Sequence, residues 1–384
     1  MAVRGPLSGI VVVDLSRILA GPYCTFLLSE LGARVIKVEQ PGKGDDAREY
    51  GPFRNGASTY FASINRGKQS IALDLKKEAD KKIFERLLEK ADVLVENYRP
   101  GTMEKLGYGW EALHKRYPRL IYAAASGFGH TGPHAQDPAY DMVVQGLGGM
   151  MSITGPQGGP PVRVGMSIGD IGAGLYTAVA VNAALLHRER TKEATKIDIG
   201  MLDCQIALLE NAVMRYSVTG EIPGPLGARH PTITPFEAFA TQDGSIIIAA
   251  GNDGLFQKLC AALARPDMAA SPDYKTNDLR LKHQPGLKAE IESELRKRPL
   301  AHWLKALDEA GLPCGPTNNI AQAMAHPQVK ARNMVVTVED PKAGTLTLAG
   351  NPLKLSGFAD PPVREPAPTL DADRAAILKE LGLS

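Results

Sequence analysis

Gly9-Ile10-Val11-Val12-Val13-Asp14, then Arg17-Ile18-Leu19-Ala20-Gly21-Pro22, then Gly32-Ala33-Arg34-Val35-Ile36-Lys37-Val38-Glu39: these three pieces read as one βαβ unit over residues 9–39. The first is a continuous apolar run, as in a strand buried on both faces. Pro22 suits the first turn of a helix, and Gly32 suits the position just past its end. Val35–Val38 is the second strand. The alternation continues with a strand at Ser70–Leu75, an amphipathic helix at Glu78–Lys90 and a strand at Asp92–Glu96. A helix at Met103–Tyr117 and a strand at Leu120–Ala124 follow. Such a rhythm predicts an α/β fold, a large Rossmann-like domain with a parallel sheet between helices.

Residues 127–170 are rich in glycine and proline and read mostly as loop, followed by helices over about 171–189 and 201–218 with a strand at Lys196–Ile199 between them. The stretch Glu221–Pro231 is a linker. Beyond it a strand at Ser245–Ala250 and helices at Leu255–Ala264, Leu287–Arg296 and Ala301–Ala310 predict a smaller α+β domain. The expected division is a large domain over 1–220, completed by about 345–384 with a last helix near 371–382, and linkers plus the small domain over 221–344. A length of 384 residues agrees with two or three domains.

The composition is that of an ordinary globular protein, 44% apolar and 22% charged. A net charge of +2 makes no case for nucleic acid or a membrane surface as partner. Asp14 and Arg17 interrupt the first apolar run too early for a signal peptide. No run of 18 apolar residues predicts a membrane span. The four cysteines are far apart and form no CxxC pair, which predicts neither a zinc site nor a disulfide scaffold and suggests a reducing, cytoplasmic setting.

Gly127-Phe-Gly129-His-Thr-Gly132 matches a dinucleotide fingerprint, but Pro133 follows at once and Ser152 stands where an acid would hold the ribose. The better reading is a loop that shapes a pocket. His130 and His134 cannot share a helix face across Gly132-Pro133, so no metal pair is expected. The stretches 65–76 and 96–105 place cations at strand ends, where open α/β sheets bind ligands. Tyr98 offers a ring face, Asn97 a carboxamide, and Lys105 and Arg48 charges for phosphates. Asp170 lies in Gly165-Met-Ser-Ile-Gly169-Asp170-Ile-Gly172-Ala-Gly174. This reads either as the N-cap of the next helix or as a carboxylate in a glycine-lined site.

These segments together resemble the class III CoA-transferases, of the formyl-CoA transferase and carnitine CoA-transferase type, and the related α-methylacyl-CoA racemases. The resemblance runs through Leu7–Asp14, Ala20-Gly21-Pro22, Leu31–Glu39, Asn65, Lys68, Ser70–Leu75, Glu96–Gly101, Gly127–Pro133, Gly169-Asp170 and Gly251-Asn252-Asp253-Gly254. It implies a ring-shaped subunit interlocked in a homodimer, with acyl-CoA as substrate and no permanently bound cofactor. It makes Asp170 the nucleophile that carries CoA as an aspartyl thioester between an acyl-CoA and a small carboxylic acid. It sets CoA against Leu73, Asp74, Leu75 and Lys76, with Asn97, Tyr98 and Lys105 near the adenosine phosphates. Gln40 and Pro138 stand where formyl-CoA transferase has cations, leaving Arg48, Arg99 or Lys68 to substitute. Leu19 replaces a glutamine, which argues against oxalate, and Arg17 suggests a dicarboxylate such as succinate. Gly251 and Asn252 are implied to line the substrate. Tyr140 stands where the racemases have a histidine, which favours transfer over an α-methylacyl-CoA racemase or epimerase. A non-catalytic CoA-binding protein is the remaining alternative.

Overall fold

The computed structural model describes residues 5–383. Six strands form one sheet: β1 (Val11–Asp14), β2 (Arg34–Glu39), β3 (Gln69–Ala72), β4 (Val93–Glu96), β5 (Ile121–Ser126) and β6 (Lys196–Gly200). Every pairing is parallel, and the order is β3-β2-β1-β4-β5-β6. That is the doubly wound order, with a crevice at the C-terminal edge between β1 and β4 where the direction of winding reverses.

One face of the sheet carries α1 (Ala20–Glu30) and α6 (Ile168–Thr191), with Val12, Val35, Val93, Val95 and Ala123 buried against them. The other carries α3 (Glu78–Lys90) and the C-terminal α8 (Arg374–Leu381), over a core of Val13, Ile36, Ile71, Leu94 and Phe84. Side chains of successive residues go to opposite faces, so the valine run of β1 serves both cores. The α1 and α6 backbones meet closely. A Cβ at Gly174 would stand 2.8 Å from the Ala20 carbonyl oxygen, so only glycine fits. By length and hydropathy α6 could cross a bilayer, yet half of its apolar window is buried inside the protein.

The chain divides into two compact units. One comprises residues 5–151, 163–222 and 326–383, and the other 152–162 and 223–325. The second unit has its own sheet, with Phe236–Ala240 and Cys314–Pro316 antiparallel to Ser245–Ala249. Its core of Phe239, Ile246, Ile248, Phe256, Leu259 and Trp303 lies under the helices Asp253–Ala262, Gln284–Leu295 and Leu300–Glu309.

Several elements differ from the sequence expectation. The helix expected at 103–117 is two, α4 (Thr102–Leu106) and Trp110–Arg116, because Gly107 is left-handed (φ 87°) and ends the first. The expected 201–218 helix breaks at Leu209 into α7 (Met201–Leu208) and Glu210–Thr219. The stretch 127–170 contains α5 (Asp141–Leu147), which glycines on its C-terminal side disguise as loop. The strand expected at 70–75 stops at Ala72, after which the chain turns.

Candidate active site

The turns after β1, β3 and β4 follow the C-terminal edge of the sheet. Asn97, just past β4, accepts from the Arg17 backbone N–H and donates to the Arg17 carbonyl, both at 2.7 Å. Asp14 accepts from Ser16 N–H at 2.9 Å, and Asp45 accepts from Ile18 N–H at 3.0 Å. Three side chains thus pin three successive peptide groups. Between them Ile18 sits at φ 67°, a conformation that disfavours a β-branched residue and persists only where its surroundings over-determine it. The result presents Arg17 outward, its guanidinium 5.5 Å from the Tyr98 ring centre and 3.3 Å from Asp46. Gly21 makes this possible, since a Cβ there would stand 2.3 Å from that of Ser16.

Beneath the turn lies a buried ionic network. The Lys68 ammonium donates to Thr25, Asn65, the Pro22 carbonyl and Asp14 at 2.7–3.1 Å. Burial alone would raise the Asp14 pKa, but Lys68 and Lys37 outweigh it and hold it down at about 2. Burial pulls Lys68 down to about 8. Lys68 is therefore fully partnered inside the protein. Arg48 is likewise engaged, bidentate to Glu39 at 2.8 Å with a third bond to the Pro368 carbonyl. Arg99 and Lys105, by contrast, are exposed and outside every salt bridge among the described residues. Leu73 and Leu75 are core residues, while Asp74 turns the chain by accepting from Lys76 N–H, and Lys76 is exposed. Gln40 and Pro138 are both exposed, and Leu19 is buried at the N-cap of α1.

Asp170 is not an N-cap. Helix α6 begins at Ile168, so Asp170 is its third residue. Its carboxylate makes no hydrogen bond or ion pair among the described residues, and burial, with the charge of Asp141 second, pushes its pKa up to about 7. Asp141 opens α5 directly after the exposed Tyr140, and its Oδ1 accepts from Gly169 N–H at 2.8 Å. The capping carboxylate of α6 thus comes from 28 residues upstream. Gln145, one turn along α5, donates to Asp141 at 2.8 Å and accepts from Val164 N–H at 2.9 Å. The phenol of Tyr60, on the short helix α2 (Thr59–Asn65), is pushed up to about 12 by burial and then by Asp170. The glycines around Asp170 serve packing. A Cβ on Gly169 would meet Val144 at 2.7 Å, and one on Gly172 would meet Leu208 at 3.1 Å. Gly251 and Asn252 belong to the other unit, where Asn252 caps the helix at Asp253 by accepting from Leu255 N–H at 2.9 Å.

Residues 7–374 match CoA-transferase family III. The chain belongs to this family. It is 46% identical to an acetyl-CoA:oxalate CoA-transferase of Acetobacter aceti, over 98% of this chain and 96% of that protein. It is 41% identical to a succinyl-CoA:mesaconate CoA-transferase of Haloarcula hispanica, over 99% and 97% respectively. A crystal structure of a CAIB/BAIF family protein from Brucella suis superposes with a TM-score of 0.86 at 38% identity, covering 98% of this chain and all of that one. This family III member is an acyl-CoA:carboxylate CoA-transferase.

Within this CoA-transferase, sequence reasoning missed Tyr60, Asp141 and Gln145 as neighbours of the Asp170 region. Asp141 and Gln145 stand four apart, the spacing of one helix face, but a seven-residue helix followed by glycines gave too short a pattern to reveal it. It also missed Glu96, buried between Tyr98 N–H (2.7 Å) and the Tyr122 hydroxyl (3.0 Å), whose pKa burial raises to about 7. No group of three or more His, Cys, Asp or Glu side chains suited to a metal occurs among the described residues.

Proposed function

We propose that this enzyme transfers CoA from an acyl-CoA to a small carboxylic acid through a covalent intermediate on Asp170. The observation that carries the reading is a half-buried carboxylate in the first turn of α6 with no hydrogen bond or ion pair among the described residues. With no donor to satisfy it, such a carboxylate is a better nucleophile than one solvated or ion-paired. Asp170 attacks the thioester carbonyl; the C–S bond breaks, giving an aspartyl–acyl anhydride and CoA thiolate. The thiolate attacks the aspartyl carbonyl, expelling the donor acid as carboxylate and leaving an aspartyl–CoA thioester. The acceptor carboxylate attacks that thioester, and the returning thiolate takes the acceptor acyl group and frees Asp170. No net proton is consumed, and acyl-CoA enters as substrate, without a resident cofactor.

In this reading CoA lies along 73–76 and 97–105, with Tyr98 and Asn97 at the base and Lys76, Arg99 and Lys105 toward the phosphates. Their exposure supports that choice over Lys68 and Arg48, whose charges are already engaged. Arg17, rigidly presented, suits the distal carboxylate of a dicarboxylate such as succinate. A second copy of the chain would cover the exposed apolar side chains of α5, α6 and the helix 210–219, among them Leu147, Val179, Met214 and Val218. Four free cysteines, three of them buried, suit a cytoplasmic enzyme.

The test is incubation with a panel of acyl-CoAs, followed by intact-mass and peptide analysis. The expected result is CoA linked to the peptide bearing Asp170, absent from Asp170→Asn. Transfer at the native rate by Asp170→Asn would sink the mechanism.

A further inference from the structure

The path of the chain into Asp170 depends on one buried amide. Gln145 is wholly buried. Its Nε2 donates to Asp141 Oδ2 at 2.8 Å and, longer, to the Met166 carbonyl at 3.4 Å, while its Oε1 accepts from Val164 N–H at 2.9 Å. Both halves of the amide are used, so its orientation is determined by its partners. Asp141 then holds Gly169 N–H with Oδ1 and stands 3.7 Å from Arg163 with Oδ2. Within residues 163–169 the segment is tied to itself by Ile168 N–H donating to the Met166 carbonyl, at 2.9 Å. Ser167, at the N-cap, makes no side-chain cap bond, although serine is a favoured capping residue. A charged cap borrowed from another helix has replaced the local one. Arg163 stands beside Asp141, while Asp170 has no hydrogen bond or ion pair among the described residues.

We infer that Gln145, acting through Asp141, is the positioning residue of the transfer step: it fixes residues 163–169 so that the Asp170 carboxylate is presented, unpaired, to the thioester carbonyl. The inference rests on the reading of Asp170 as nucleophile. Asp141 does two separable things. Its oxygen caps Gly169 N–H, and its charge faces Asp170. The groups around the pair are Arg163 and Gln145 beside Asp141, and Tyr60 from α2 beside Asp170.

The experiment is single-turnover formation of the CoA adduct, across pH, in wild type, Gln145→Ala and Asp141→Asn. Gln145→Ala is expected to slow adduct formation about 10- to 100-fold, as a displacement near 1 Å does, with KM for acyl-CoA within about threefold. Asp141→Asn keeps an oxygen for Gly169 N–H but loses the charge. Its acid limb is expected to move down by about one pH unit, while its amide NH2, now facing Gln145 Nε2, lowers the melting temperature without unfolding the protein. A merely structural role would not move that limb. A native adduct rate in Gln145→Ala, or an unmoved acid limb in a folded Asp141→Asn, overturns the inference. A wild-type enzyme that never carries CoA on Asp170 overturns the underlying mechanism instead, so the two failures are distinct.

Discussion

At the scale of single residues, the setting of Asp170 costs stability. Its folded pKa of about 7 lies above the ordinary 3.8. Between those values the unfolded chain gives up its proton while the folded protein keeps it, so stability falls as pH rises through the window and the penalty is complete above 7. The full cost is roughly 2–4 kcal/mol. Asp170→Asn is expected to abolish transfer and to raise the unfolding free energy by about that amount at pH 8, with little change at pH 4; urea titrations at the two pH values check it. Asp14 has the opposite sign. Its pKa is held down at about 2, so its contribution is present above 3.8 and is lost as pH falls toward 2. Asp14→Asn would leave the Lys68 ammonium buried without its counter-charge and is expected to cost about 3–5 kcal/mol, measurable by urea unfolding at neutral pH.

At the scale of elements, the contact of α1 with α6 sets where Asp170 stands. Ala20 and Gly21 begin one helix, Asp170 lies in the first turn of the other, and Gly174 lets their backbones approach. Gly174→Ala would force a Cβ to 2.8 Å from the Ala20 carbonyl. The expected outcome is a loss of about 1–3 kcal/mol in stability, with a fall in kcat larger than the change in KM, read by thermal melts and steady-state kinetics.

At the scale of the whole molecule, the large unit exposes apolar side chains on consecutive helices, with Val179 67% and Val218 75% accessible. Covering them is the proposed task of a second subunit. Val179→Arg is expected to shift the protein from dimer toward monomer in light scattering at micromolar concentration. A variant with unchanged mass would reject that use of the face.

The sequence by itself determined the doubly wound sheet, because strands buried on both faces are continuous apolar runs and their turns carry glycine and proline where the backbone needs them. The valines of β1, Gly32 and the helix at Glu78–Lys90 were legible for this reason. Asp170 was legible as a singular acid among glycines, and the ordered motifs around it pointed to the family. Only the tertiary structure decided its setting. A cap donated from 28 residues away, a glutamine that ties Asp141 to Val164, and the burial that lifts the Asp170 pKa are long-range contacts, and no local period encodes them. The same holds for Arg48 and Lys68. A cation that will meet a ligand and one locked to a buried carboxylate are the same letter in a sequence, and only burial and distance tell them apart.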